Sequence, residues 1–166
     1  MTRPVALITG ARRGIGRAIG IALAKAGHDI AFTDIAEDEA VAEASRLFEA
    51  AGAKARFFKH DVAAVASHAG LVADVKAAFG RLDLFVSNAG IGAPVRGDML
   101  EITEESFDLV MDINLRGAAF LSQEVARAML ADRPERPAIV FITSASTELV
   151  SIDRAQYCVS KLGLSM

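Results

Sequence analysis

At 166 residues, 52% of them apolar, the chain is long enough for one domain with a core of its own. A formal net charge of −3 excludes the basic face that a nucleic-acid surface needs, and no apolar run approaches the ~18 residues of a membrane span. The single cysteine, Cys158, excludes an internal disulfide framework and makes the cytoplasm the expected compartment.

The start, Met1-Thr2-Arg3-Pro4, leads straight into an apolar run and lacks the three-part pattern of a signal peptide. The first strand is predicted over 4–9 (PVALIT) and the first helix over 14–27, with Thr9-Gly10-Ala11-Arg12-Arg13-Gly14-Ile15-Gly16 between them. Glycine there permits a sharp turn, close approach of a pyrophosphate to the backbone and tight helix–strand contact. The helix N-terminus then offers unpaired N–H groups to phosphates.

A second strand, 29–34, ends at Asp34, 18 residues after Gly16. A carboxylate there accepts hydrogen bonds from adenosine ribose hydroxyls and favours NAD. The alternative is an aspartate that caps the helix predicted over 37–51. Arg12 and Arg13 pull the other way, since a guanidinium beside the ribose suits the 2′-phosphate of NADP; the alternative is a pair of solvated arginines. Repulsion between Asp34 and a phosphate dianion tips the expectation to NAD(H) over NADP(H).

Further elements are predicted as a strand over 54–60, a helix over 65–79, a strand over 82–87 with Asn88 at its end, a long helix over 104–131, a strand over 137–143 and a last helix from about 154. Gly27, Gly52 and Gly80 stand where helices should stop. Asp98, Glu101, Glu104 and Glu105 read as the charge bias of a helix N-terminus. His28, His60 and His68 have no metal-ligand spacing and read as turn or surface residues, so no metal is expected. Alternating strands and helices at this spacing predict a doubly wound α/β fold, a parallel sheet with helices on both faces, as one Rossmann-type domain over 1–166.

The last helix carries the only tyrosine, Tyr157, four residues before Lys161. That spacing puts phenol and ammonium side by side. The cation favours the phenolate of a group whose free pKa is about 10, so the tyrosine can exchange a proton with an alcohol oxygen near neutral pH. Cys158 is adjacent but faces elsewhere and reads as a packing residue.

Six motifs, in order over almost the whole chain, resemble the short-chain dehydrogenase/reductase family, in particular its 3-oxoacyl-(acyl-carrier-protein) reductase-type members. They are Thr9-Gly10-x3-Gly14-Ile15-Gly16, Asp61-Val62, Asn88-Ala89-Gly90, Asn114 within Asp112-Ile113-Asn114-Leu115, Ser144 at 13 residues before Tyr157, and Tyr157-Cys158-Val159-Ser160-Lys161. The resemblance implies a cofactor-contacting set of Gly10, Arg12, Arg13, Gly14, Ile15, Gly16, Asp34, Ile35, Asp61, Val62, Asn88, Ala89 and Gly90, with Tyr157 and Lys161. It implies a catalytic set of Asn114, Ser144, Tyr157 and Lys161. Tyr157 would donate the proton to a ketone, Ser144 would hold the carbonyl oxygen, and Lys161 would bind the nicotinamide ribose. Asn114 would hold a water of a proton relay. Ser146 stays open as the alternative to Ser144, and a buried, backbone-satisfying role stays open for Asn114.

The sequence stops five residues after Lys161. The resemblance therefore implies a longer enzyme, with the rest of the last helix, a sixth strand, a mobile substrate-binding segment and a seventh strand beyond it. It also implies a homo-oligomer, dimer or tetramer, at full length, and the fifth strand would otherwise be a sheet edge. The expected substrate is a small carbonyl or alcohol, such as an acyl-carrier-protein-bound β-keto thioester, lined by 91–96 and 146–150. A sugar or polyol dehydrogenase using NAD and a non-catalytic NAD(H)-binding protein are the alternatives.

Overall fold

Five strands form from the apolar runs: β1 (Val5–Thr9), β2 (Asp29–Asp34), β3 (Ala55–Lys59), β4 (Leu84–Ser87) and β5 (Ala138–Phe141). The computed structural model describes residues 3–149 and 151–166. Between the strands lie α1 (Gly14–Lys25), α2 (Glu39–Ala50), α3 (His68–Phe79), α4 (Glu104–Met111) and α5 (Ala118–Asp132), with α6 (Ala155–Ser165) last. Gly27, Gly52 and Gly80 follow α1, α2 and α3 with positive φ, as their places at the helix ends predict.

Every strand pairing is parallel, and the sheet order is β3-β2-β1-β4-β5, so β3 and β5 are its edges. β1 sets Ile8 opposite Phe32 of β2 and Leu7 opposite Phe85 of β4. The chain therefore winds outward in both directions from β1, which opens a crevice at the carboxyl ends of β1 and β4.

Alternate residues of β1 enter two different cores. Val5 and Leu7 pack with Leu71, Val75, Leu121 and Val125 from α3 and α5, while Ala6 and Ile8 pack with Ala24, Val41, Ala44 and Phe48 from α1 and α2. Burial on both faces is why these strands read as unbroken apolar runs. Phe32, Phe48 and Phe85 are fully buried, each stabilising the fold by about 1.5–3 kcal/mol through apolar transfer. The doubly wound α/β expectation is met.

One element departs from its expected form. The helix predicted over 104–131 is a continuous helical run, but Asp112–Gly117 between α4 and α5 is a π-helical turn. A Cβ on Gly117 would lie 2.1 Å from the Val62 carbonyl oxygen. Glycine thus lets this turn press on the loop that follows β3. Wider than an α-turn, it interrupts the helix at Asn114, which is wholly buried. Among the described residues no helix is long and apolar enough to cross a membrane.

Candidate active site

At the end of β1 the chain turns through Gly10 into α1, and the end of β4 holds that turn in place. The Asn88 side-chain amide donates to the carbonyls of Thr9 and Gly10 at 2.9 and 3.0 Å. In return the Thr9 hydroxyl accepts from the backbone amides of Asn88 and Ala89, both at 3.0 Å. Gly16 sits under this joint, where a Cβ would come within 2.6 Å of both Asn88 Nδ2 and the Gly10 oxygen. At Gly14, by contrast, φ is +61° and nothing lies within 4 Å of the Cβ position. No side chain caps the leading N–H groups of α1, and its first turn holds no acid. An uncapped helix start, bare backbone and free room suit a pyrophosphate. Ile15 is exposed beside it.

Around this turn runs a cleft of about 420 Å³, lined by Gly10, Arg12, Arg13, Asp34, Ile35, Asp61, Val62, Asn88, Ala89 and Gly90, among others. Segments far apart in sequence and expected to touch one cofactor thus share one wall. At the rim, Arg12 Nε lies 3.4 Å from Asp34 Oδ1, and Arg12 Nη1 donates to Asp38 Oδ2. Two of the open alternatives fall here. Asp34 is not the cap of α2, because Asp38 Oδ1 accepts from the Ala40 amide at 3.0 Å and does that work. Arg12 is not solvated, its side chain being 15% exposed, whereas Arg13 is exposed.

The reading of His60 and His68 as turn or surface residues is overturned. They are 7% and 1% exposed, with ring centroids 5.3 Å apart, and His68 Nε2 meets the Val62 carbonyl at 3.0 Å. Burial, with a second contribution from His68, lowers the pKa of His60; burial also lowers that of His68, outweighing its bond to Val62. His60 is among the residues lining the cleft.

Beyond Gly90 the candidate catalytic side chains begin. A Cβ on Gly90 would lie 3.1 Å from Asn114 Oδ1 and 3.4 Å from Lys161 Nζ, so this residue is where the cleft meets them. Asn114 Oδ1 accepts from the Ile91 amide at 2.8 Å, and its Nδ2 donates to the Ile91 carbonyl at 2.9 Å and to Ser160 Oγ at 3.1 Å. Lys161 is 5% exposed, donates to the Ile142 carbonyl at 2.9 Å and lies 5.9 Å from the Tyr157 ring centroid. Burial lowers its pKa. Arg154 Cζ is 5.5 Å from the same ring. Ser144 heads the short turn Ala145–Thr147, which packs on α6, and its Oγ accepts from the Ser146 amide at 3.1 Å.

Two contacts at the candidate site had no signal in the sequence. Gln156, 1% exposed beside Tyr157, donates to the Val95 carbonyl at 2.9 Å and to Ser106 Oγ at 3.1 Å, tying α6 to the segment after β4. Ser160 bridges Asn114 to the Tyr157 carbonyl, to which it donates at 2.8 Å. Of the expected substrate segments, 91–96 includes Arg96, whose Nη1 is 3.5 Å from Asp153, and 146–149 follows Ser144; Val150 lies outside the described residues.

With this geometry in view, a family model described as short chain dehydrogenase matches residues 4–166. The crystal structure of a 3-oxoacyl-[acyl-carrier protein] reductase from Brucella melitensis in complex with NAD superposes with a TM-score of 0.92 at 49% identity, covering 99% of this chain and 65% of that one. Galactitol 2-dehydrogenase of Agrobacterium fabrum is 36% identical over 99% of this chain and 61% of its own length. The 2-dehydro-3-deoxy-D-gluconate 5-dehydrogenase of Dickeya dadantii is 37% identical over 76% of this chain and 48% of its own. The chain spans about half to three-fifths of the length of these curated relatives.

Proposed function

The chain belongs to the short chain dehydrogenase family, and on that footing we propose that it is an NAD(P)-dependent oxidoreductase interconverting a ketone and a secondary alcohol. The observation that carries the proposal is the meeting at Gly90. There the cleft walled by the glycine turn and Asp34 adjoins Asn114 and Lys161, with Tyr157 beside Lys161. When bound, a nicotinamide cofactor supplies or accepts the hydride.

This chain's residues would do the rest. In the reducing direction Tyr157 donates its phenolic proton to the carbonyl oxygen, and Ser144 donates a hydrogen bond to the same oxygen. Lys161, fixed by the Ile142 carbonyl, sets its cation beside the Tyr157 ring and faces the charge left on the phenolic oxygen. Asn114 uses both amide hydrogens on Ile91 and Ser160, which leaves one Oδ1 lone pair for a water leading on from Lys161. Asp34 at the rim supports NAD(H) over NADP(H).

For substrate, the 49% identity to the Brucella reductase supports a β-keto thioester. A polyol is the second reading, supported by the 36% identity to galactitol 2-dehydrogenase over nearly the whole chain. The test compares reduction of a short β-keto thioester by NADH with oxidation of galactitol by NAD+, each in wild type and Tyr157→Phe. The variant is expected to lose turnover by about 10²–10⁴-fold while NAD+ binding, followed by fluorescence, persists. Unchanged turnover in the variant would remove Tyr157 as the proton donor, and no turnover of either substrate by a wild type that binds NAD+ would leave a cofactor-binding protein.

A further inference from the structure

We infer that Asp38, by holding Arg12, sets which of the two dinucleotides the cleft accepts; the inference rests on the dinucleotide reading of the cleft given above. Arg12 leaves the glycine turn and crosses to the end of β2, where it meets Asp34 through Nε and Asp38 through Nη1. The Arg12 and Asp34 side chains are 15% and 13% exposed, and both line the cleft; Asp38 stands outside it, at 47%.

The two oxygens of Asp38 divide their tasks. Oδ1 caps α2 through the Ala40 amide, and Oδ2 takes the guanidinium. α2 thereby fixes the carboxylate, and the carboxylate fixes Arg12 against Asp34. The three groups together carry one net negative charge.

The consequence differs for the two cofactors. A ribose 2′-hydroxyl needs only an acceptor, which the Asp34 carboxylate, lining the cleft, supplies. A 2′-phosphate is favoured by a cation, and a guanidinium fork offers it paired hydrogen bonds. To offer one, Arg12 must leave Asp38, and the dianion must meanwhile sit among two carboxylates. Arg13 also lines the cleft and is exposed, and it is left unchanged in every variant compared below. Specificity here comes from a repulsive arrangement and an occupied cation as well as from an attractive acid.

The experiment is equilibrium binding of NAD+ and of NADP+ to wild type, Asp38→Asn, Arg12→Ala and the double variant. Asparagine caps a helix as well as aspartate does, so Asp38→Asn removes the charge and keeps α2. Asp38→Ser, also a good cap, repeats the measurement with a different side chain. Wild type is expected to favour NAD+. Asp38→Asn is expected to move the ratio of dissociation constants toward NADP+ by about tenfold. In the Arg12→Ala background the same substitution is expected to move it by clearly less, because only the charge of Asp38 and no longer its hold on Arg12 is removed.

A shift of equal size in both backgrounds would mean that Asp38 acts by its charge alone, and would overturn the role through Arg12. No shift in either background overturns it too. If wild type binds both dinucleotides equally, the discrimination fails while the dinucleotide reading stands. If wild type binds neither, that reading fails and takes this inference with it.

Discussion

Asn114 and Ile91 exchange a reciprocal pair of hydrogen bonds, amide to Oδ1 at 2.8 Å and Nδ2 to carbonyl at 2.9 Å. A side-chain amide thus stands in for a strand neighbour beside the segment that leaves β4. The π-helical turn supplies the reach, and Ser160 takes the remaining Nδ2 hydrogen. Replacing Asn114 by alanine leaves the Ile91 amide and carbonyl unpaired in a half-buried place. The expected cost is about 2–4 kcal/mol, read as a lower urea midpoint with unchanged slope. A cost under about 0.5 kcal/mol, the scatter of ordinary surface substitutions, would show that water replaces the asparagine at no loss.

Gly16 and Gly14 are expected to fail in different ways. A methyl group at 16 would press on Asn88 Nδ2 and the Gly10 oxygen at 2.6 Å, so Gly16→Ala should destabilise the fold by about 1–3 kcal/mol through overpacking. Gly14→Ala meets no atom and costs only the strain of φ +61°, about 1–2 kcal/mol. Its methyl instead enters the space before the start of α1, so nucleotide affinity should fall more than stability does. Titration of NAD+ alongside urea unfolding separates the two; equal losses of both kinds in both variants would contradict the geometry.

Stability should decline as the pH falls below 6.5. His60 and His68 have lowered pKa values through burial, so the unfolded chain binds protons in a range where the folded chain does not. Their contribution is complete above 6.5 and is lost as the pH drops from there toward the folded values. Asp83 acts in a separate, more acidic window. Its burial raises the pKa, but the bonds from Arg81 and the Val5 amide prevail and lower it, so its contribution is lost only below its ordinary 3.8. Urea midpoints from pH 7 to 5 in wild type and in the double variant His60→Gln/His68→Gln test this. The variant should show the flatter profile, and parallel profiles would rule the pair out.

At the alkaline end Lys161 predicts a further rise of stability with pH, of the same sign as for the histidines. Its burial lowers the pKa below the ordinary 10.5, so the cost of keeping a charged lysine in the fold is present at neutral pH and relieved as the pH climbs toward 10.5. Wild type should therefore gain stability relative to Lys161→Met between pH 8 and 10. A constant difference across that range would mean that the ammonium is no worse solvated in the fold than outside it.

Local patterns were legible in the sequence wherever one segment sufficed to define them. The five apolar runs, the glycine turn and the Tyr157–Lys161 spacing each lie within about ten residues, and each stands at its expected place in the chain. What escaped depends on partners remote in sequence. Arg12 stayed open between a cofactor ligand and a solvated side chain because its acids lie 22 and 26 residues on. His68 read as a surface residue because its burial comes from the packing of α3, a helix of weak amphipathic contrast, against the sheet. Gln156 gave no signal, since a lone polar residue on a helix declares its face only when Val95 and Ser106 arrive. The π-helical turn was invisible for another reason: a change of hydrogen-bond register within a helix leaves no mark on apolar periodicity.

The bond between Thr9 and Asn88 spans 79 positions of the chain. During synthesis the glycine turn emerges early, yet its carbonyls and its hydroxyl acquire their partners only after β4 has been made and inserted next to β1. A nascent chain ending before residue 88 therefore has the nucleotide motif without the clasp that shapes it. Contacts so distant along the chain form late, after the entropy of closing the intervening loop has been overcome. Nucleotide is thus unsuited to template the first half of the molecule, and capture of the dinucleotide by a growing polypeptide should report the arrival of β4.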